Sequence, residues 1–350
     1  MKRKILSAVL VLLLIVGGYV AYVLIDYHRV GDHDIAVSGE GEAVETGTEY
    51  SLISYNIGFA AYTPDFGFFM DGGTESRAAS KESVERVMGE IADFLLKQDA
   101  DFLMVEEVDV DATRSHHVDE RARLMWALED YATAFAVNYD SPYLFYPILK
   151  PHGKSLAGML TASRYAMTEA KRVELPIEES LYKFLDCDRC YTVCRVPVEN
   201  GRELVLYTVH LSAYTSDGTV ATEQLELLLA DMQSEYEKGN YAVCGGDFNK
   251  DMLGDSSEIF GVSGEEYTWA QPLPLDLMEG TGIRLAEYDL EDPVPSCRNA
   301  DGPYHDGQFV LTVDGFLVSD NVQTELVQVL DASFLWSDHN PVELRFTLKD

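Results

Sequence analysis

The stretch Val243-Cys244-Gly245-Gly246-Asp247-Phe248-Asn249 sets a carboxylate and a carboxamide two residues apart. They follow a short apolar run, residues 241–244, that reads as a buried strand. Glycines 245 and 246 let the backbone turn there without a Cβ penalty. An acid so placed can ligate a metal or orient a water, and the amide can hydrogen-bond an oxyanion. The same residue types also make ordinary turns.

Other strand-like segments end in similar chemistry. Asn56 ends the segment 50–57, and Glu106 and Glu107 follow residues 101–105. His210 follows residues 204–209, Asp314 interrupts residues 310–318, and Ser337-Asp338-His339-Asn340 precedes the last strand. One strand-end Asp or Asn is more often a cap than a catalyst. Six such endings have a geometric meaning, because ligand sites in α/β folds are built from strand ends. Carboxylates with few histidines and no cysteine pair suit a hard cation such as Mg2+ or Mn2+. Two histidines beside them suit proton transfer and charge stabilisation near neutral pH. Polarising a phosphoryl oxygen for attack by water is what such a set does. The sequence contains no GxxxxGK[ST], GxSxG or HExxH pattern, so nucleotide-triphosphate binding, serine hydrolysis and zinc proteolysis have no support in it.

The 350 residues carry a formal net charge of -34. A surface this acidic repels nucleic acid and anionic head groups unless cations intervene, which disfavours a DNA-coating role but not a metal-dependent site acting on phosphates. Acidic excess also serves solubility. Among the five cysteines, Cys187, Cys190 and Cys194 lack the companions a structural zinc site needs. Cys190 and Cys194 share one side of a strand as small buried hydrophobes, and a Cys187–Cys190 disulfide stays open for a domain outside the cell.

The elements that must position these residues follow a basic start, residues 1–4. Residues 5–25 are an uncharged apolar run of about 30 Å as a helix, enough to cross a bilayer. Bulky residues 22–25 stand where a signal peptidase would need small ones, so an uncleaved anchor with its N-terminus in the cytoplasm is expected, with cleavage as the alternative. Residues 26–47 are rich in Gly, Asp and Glu and read as a flexible acidic linker. Residues 48–350 read as one α/β domain. Its helices are marked by Val84, Val87, Met88, Ile91 and Leu95, by residues 119–131, and by Leu225, Leu228, Leu229, Met232 and Tyr236. Strands are expected at 144–149, 157–162, 192–196, 204–211, 309–318, 326–329 and 342–347, with long loops over 253–304.

Ser54-Tyr-Asn-Ile57, Val105-Glu-Glu-Val-Asp109, Thr208-Val-His-Leu211, Gly246-Asp-Phe-Asn249, Val313-Asp-Gly-Phe-Leu-Val-Ser319 and Ser337-Asp-His-Asn-Pro-Val342 resemble, in order, the motifs of the endonuclease/exonuclease/phosphatase superfamily. The resemblance spans about residues 51–346. It implies a deoxyribonuclease-I-like fold, a four-layer α/β/β/α sandwich of two mainly antiparallel sheets. It further implies Glu107 as metal ligand, with Asn56 and Asp338 at the metal, and His210 on the scissile phosphate. Asp247 would activate water with Asn249 in support, and His339 would be the second catalytic histidine, oriented by Asp314. Two positions stand apart: Glu106 stands where the family usually has Gln, adding charge beside the metal, and Arg164 looks structural. The loop 297–303, with Asn138 and Tyr139, is expected near substrate.

The expected function is a divalent-metal-dependent phosphodiesterase or phosphatase, single-pass in the cell membrane, its monomeric catalytic domain extracellular. Its phosphoester would be a lipid head group, a sugar phosphate or a nucleotide. Alternatives are a nuclease with the same mechanism, disfavoured by the acidic charge, and a non-catalytic binding module.

Overall fold

The structure is a computed structural model that describes residues 2–178, 180–184, 186–213, 219–263 and 270–350. Helix α1 (Lys2–Asp26) has no buried residue and is long and apolar enough to cross a membrane. In chain order there follow β1 (His33–Ile35), β2 (Val37–Ser38), β3 (Glu49–Asn56), α2 (Lys81–Gln98), β4 (Phe102–Ala112), α3 (Glu120–Ala127), β5 (Ala132–Asp140) and β6 (Ser155–Ser163). Then come β7 (Glu169–Glu174), β8 (Cys190–Pro197), β9 (Glu203–His210), α4 (Thr219–Glu237), β10 (Tyr241–Asp247) and α5 (Ser256–Phe260). The chain ends with β11 (Ile283–Leu285), β12 (Cys297–Arg298), β13 (Val310–Leu311), β14 (Asp314–Ser319), β15 (Val322–Val329) and β16 (Val342–Leu348).

Two seven-stranded sheets form, in the orders β1-β7-β8-β9-β10-β14-β11 and β15-β16-β3-β4-β6-β5-β2. Tyr50, Leu52, Phe102 and Met104 of one sheet meet Leu204, Leu206, Val243 and Phe316 of the other in the central core. The opposite face of the second sheet, through Ile53, Leu103 and Val105, is covered by Val84, Val87, Met88, Ile91 and Leu95 of α2 and Leu124 of α3. The first sheet's outer face takes Leu225, Leu228, Leu229 and Met232 of α4. This is the expected four-layer sandwich. In α2 the apolar stripe lies at 3.6-residue spacing; Ser80 caps its start by accepting from Ser83 N, and Asp99 ends it in a left-handed conformation.

The backbone differs from expectation in several places, the unexpected strands β5 and β7 among them. Within residues 26–47, expected as a flexible linker, β1 pairs with β7 and β2 with β5, so the segment adds an edge strand to each sheet. Residues 144–149 form no strand: Leu144 makes an isolated bridge to Gly153, and Pro142 and Pro147 supply no N–H for a ladder. The expected strand 309–318 is split into β13 and β14, and residues 253–304 hold short elements between loops. The apolar run before Asp247 does not turn at its glycines; β10 continues through Gly245, Gly246 and Asp247.

The glycines serve close approach instead. A Cβ on Gly246, whose φ is 145°, would stand 2.0 Å from the Val209 carbonyl oxygen of the parallel neighbour β9. Gly246→Ala is therefore expected to lower stability by about 2–4 kcal/mol, seen as a lower urea midpoint with unchanged m-value, whereas exposed Gly201→Asn is expected to be within ~0.5 kcal/mol of neutral.

Candidate active site

The strand-end residues come together at one end of the sandwich, contributed by both sheets. β3 and β4 run parallel, as do β9 and β10, so their C-terminal ends point the same way. Asn56 ends β3, His210 ends β9, Asp247 ends β10 and Asp314 begins β14 opposite Asp247. Asp338 and His339 arrive on the loop before β16. Ser337 fixes that loop: its Oγ donates to the Asn56 carbonyl at 2.8 Å and accepts from His339 N at 3.1 Å.

Asp247 is the hub. Its Oδ2 accepts from Asn56 Nδ2 at 3.2 Å and has His210 Nε2 at 3.7 Å and His339 Nε2 at 3.8 Å. Its Oδ1 accepts from the Asn249 N–H at 2.8 Å. Asn249 sits at φ 50°, and its side chain donates to Leu211 O at 2.8 Å, closing the turn that follows β10. Behind His339, Nδ1 meets Asp314 Oδ2 at 2.8 Å, and that same oxygen accepts from Ser296 Oγ at 2.6 Å.

A bulge in β4 between Val105 and Val108 separates the two glutamates. Glu107, at φ 55°, turns its carboxylate to the cleft, 3.4 Å from Asn56 Nδ2 and 3.9 Å from Arg114 Nη1. Glu106 does not add charge beside it, contrary to expectation. It continues the inward-facing row of Phe102 and Met104, fully buried, with Oε1 accepting from Ser54 Oγ at 3.2 Å and Oε2 without a partner among the described residues. Burial, then the charges of Asp314 and Asp247, push its carboxyl well above the usual range. In its neutral form it matches the shape of the glutamine the family resemblance led one to expect.

The same burial divides the other groups. Burial opposes a charged His339, yet Asp314 at Nδ1, with Cys297 Sγ 3.6 Å from Nε2, holds it well above an ordinary histidine. Burial, then the charges of Arg189 and His339, hold His210 well below. One ring is thus a cation and the other neutral. Asp247 is pushed up to about 7, by burial first, with His339 opposing and Asp314 reinforcing. Burial likewise raises Glu107 and Asp338.

Which residues fit a cation follows from these pairings. Asp247, Asp314 and His339 offer ligand atoms within 4.8 Å of one another, but Asp314 and His339 are spent on each other and the ring is positively charged. Glu107 and Asp338 are partly open to the cleft, and the nearest cation to Glu107, Arg114, gives its fork to Asp109 at 2.8 Å. Uncompensated carboxylate oxygens beside Asn56 fit a hard divalent ion.

The cleft, about 160 Å3, is lined by Glu107, His210, Asp247, Asn249, Asp338 and His339. Asn138, Tyr139 and residues 297–300 also border it, as the sequence suggested. Arg164 lies away from it, on Asp99, Tyr131 and the Ala100 carbonyl, in a structural place. Sequence reasoning missed Arg114 and Arg189, which with Arg298 of the suspected loop bring three guanidiniums to the wall, and Ser296 behind Asp314. The signal that could have found Arg114 is its five-residue spacing from Asp109, the acid it grips. Asn299 was within the suspected loop; its Nδ2 is buried and has no partner among the described residues. The Cys187–Cys190 bridge that the sequence left open is not formed: all five cysteines are free, with Cys187 on the cleft and Cys190 in the core.

Comparison with known proteins gives one family and a set of solved folds. The model of the Endonuclease/Exonuclease/phosphatase family matches residues 53–339. No curated protein sequence matches the chain. An endonuclease/exonuclease/phosphatase from Beutenbergia cavernae is similar at 17% identity over 86% of this chain and 72% of its own, with a TM-score of 0.58. ANGEL2, a 2',3'-cyclic phosphatase solved with adenosine-2',3'-vanadate, is 17% identical over 90% of this chain and 99% of its own, at a TM-score of 0.55. The human Nocturnin catalytic domain with bound sulfate is 15% identical over 90% of this chain and 97% of its own, at 0.54. At these identities the likeness is one of fold.

Glu106 gives a pH-dependent test. A carboxyl whose folded pKa is raised contributes its stability below the unfolded value, near 4.5, and loses it as pH rises toward the folded value. Glu106→Gln is expected to abolish that loss: in EDTA its Tm should exceed the wild type's by about 2–4 °C or more at pH 8, with the gap closing toward pH 4.5 in thermal melts.

Proposed function

The chain belongs to the endonuclease/exonuclease/phosphatase family and is a phosphoester hydrolase, and we propose that it uses a divalent metal, is anchored in a membrane by α1 and exposes its catalytic domain on the outer side. Mg2+ or Mn2+ held by Glu107 and Asp338, with Asn56 beside them, would supply Lewis-acid polarisation of a phosphoryl oxygen. Asp247 aligns the attacking water through Oδ2, and a carboxylate with a pKa near 7 is matched to accept its proton at neutral pH. Asn56 and Asn249 hold that carboxylate from two sides. His339, kept charged by Asp314, donates from Nε2 to the oxygen on which charge develops, and neutral His210 hydrogen-bonds the phosphate. A phosphodiester or phosphomonoester of a lipid head group, a sugar or a nucleotide is the substrate class. A net charge of -34 disfavours a polynucleotide.

The observation that carries this reading is a pair of histidine rings within 3.8 Å of one buried carboxylate oxygen, one raised by the Asp314 carboxylate 2.8 Å behind it and the other lowered by burial. A non-catalytic binding module has no need of that polarity. The test is hydrolysis of phosphodiester and phosphomonoester substrates by the purified full chain with Mg2+ or Mn2+. His339→Ala should lower kcat about 10²–10⁴-fold and Asp314→Asn about 10–100-fold, and EDTA should abolish turnover. Turnover that survives both EDTA and His339→Ala overturns the mechanism.

A further inference from the structure

We infer that the ester is carried by a lipid of the same bilayer that holds α1, reaching the cleft through an apolar pocket beside it. This rests on the hydrolase reading and narrows its substrate. Residues 141–154, between β5 and β6, present Phe145, Tyr146, Ile148 and Leu149 to solvent at 57, 66, 82 and 95% exposure. A water-soluble domain seldom leaves such a run uncovered unless something apolar meets it.

What meets it is indicated by α1. Tyr19 Oη donates to the Tyr143 carbonyl at 2.9 Å, and the Tyr143 N–H donates to Tyr22 Oη at 3.0 Å. The Phe145 ring lies edge-on to Tyr19 with centroids 5.1 Å apart. Tyr19 precedes Ile25, the end of the apolar run, by roughly 9 Å along a helix rising about 1.5 Å per residue. Where α1 crosses a bilayer, the loop is therefore pinned within roughly 9 Å of the outer edge of the hydrocarbon, just beneath the head groups and the belt that tyrosines favour. Its charge agrees. From Ser141 to Lys154 no residue is acidic while Lys150 and Lys154 are basic, Lys154 reaching Asp26 of α1 at 3.4 Å, in a chain with 60 acidic and 26 basic residues. An anionic lipid surface attracts that stretch and repels most of the rest.

From the loop a route leads to the phosphate site. A pocket of about 190 Å3 has Phe69, Met70, Leu144 and Tyr146 on the loop side. It shares Phe68, Arg114 and Tyr139 with the cleft that holds Glu107 and His339. The lipid's apolar part occupies this pocket while its phosphate meets the cleft. Water oxygen bonds to phosphorus, the P–O bond to one alcohol breaks, and that alkoxide takes a proton; one water is consumed and nothing is oxidised.

The full chain reconstituted in vesicles of phosphatidylcholine and phosphatidylglycerol with Mg2+ or Mn2+ tests this, beside soluble bis(4-nitrophenyl) phosphate. Wild type should hydrolyse both. The double substitution Ile148→Asp with Leu149→Asp should lower phospholipid turnover about tenfold or more and leave the soluble diester unchanged. Independently of turnover, Leu149→Trp should add blue-shifted emission that brominated phospholipid quenches. Cleavage of the soluble diester with phospholipid untouched overturns the inference alone, as do equal losses on both substrates or an unquenched Trp at 149. Wild type inactive on both substrates overturns the hydrolase reading itself, and the lipid inference with it.

Discussion

The ion pair between Asp314 and His339 is the interaction on which the site depends. Asp247, Asp314 and Glu106 are all buried where the two sheets meet, within one another's field. Buried like charges are unfavourable by several kcal/mol each unless something answers them. The 2.8 Å contact makes His339 a cation, and that one positive charge lowers both Glu106 and Asp247 against the burial that raises them. It also adds to the burial and the Arg189 charge that hold His210 well below an ordinary histidine. Protonation states across the cleft are thus set as a group.

Backbone architecture makes that pairing available. Parallel pairing of β9 with β10 and of β3 with β4 delivers His210, Asp247 and Asn56 to one end, and antiparallel β14 starts there with Asp314. Close approach of β10 to β9 needs Gly246, and the opposite face of Gly245 abuts Phe316 and Met104 from both sheets. Ser337 then joins the loop of His339 to the end of β3, coupling the two sheets at the site. The glycines that looked like a turn are the condition for bringing the sheets' polar ends within hydrogen-bonding range.

Much of this was legible in the sequence, for a physical reason. Amphipathic periodicity identifies α2 because a helix packed on a sheet must bury one stripe. Buried strands announce themselves as apolar runs, and their ends as polar breaks, so Asn56, Glu107, His210, Asp247, Asp314 and His339 could be named before their positions were known. What failed to show is what depends on neighbours distant in the chain. Glu106 and Glu107 are adjacent and chemically identical; only a bulge with φ 55° at Glu107 sends one to the core and the other to the cleft. The edge strands β1 and β2 are three and two residues long, too short to carry a periodicity, and their ladders come from β7 and β5. Arg114 and Arg189 were hidden because their place on the cleft wall is set by neighbours distant in the chain, such as the His210 and Leu211 carbonyls that anchor Arg189.

Those arginines also resolve an apparent conflict between a charge of -34 and a phosphate substrate. Net charge governs encounter at distances beyond the Debye length of about 8 Å, while recognition is decided within the cleft. Arg114 is held by Asp109, Arg189 by Asp186 and the carbonyls of His210 and Leu211, and Arg298 by the carbonyls of Tyr62, Thr63 and Phe66. Each guanidinium is thereby fixed before any ligand arrives, and burial weakens solvent screening of its field at the cleft. The acidic exterior limits which phosphates approach; the buried cations determine what happens to one that does. A polyanion must bring its whole backbone against the acidic surface, whereas a single phosphate on an otherwise neutral or apolar molecule meets that repulsion once, and the proposed preference for small or lipid-borne esters over polynucleotides rests on that asymmetry.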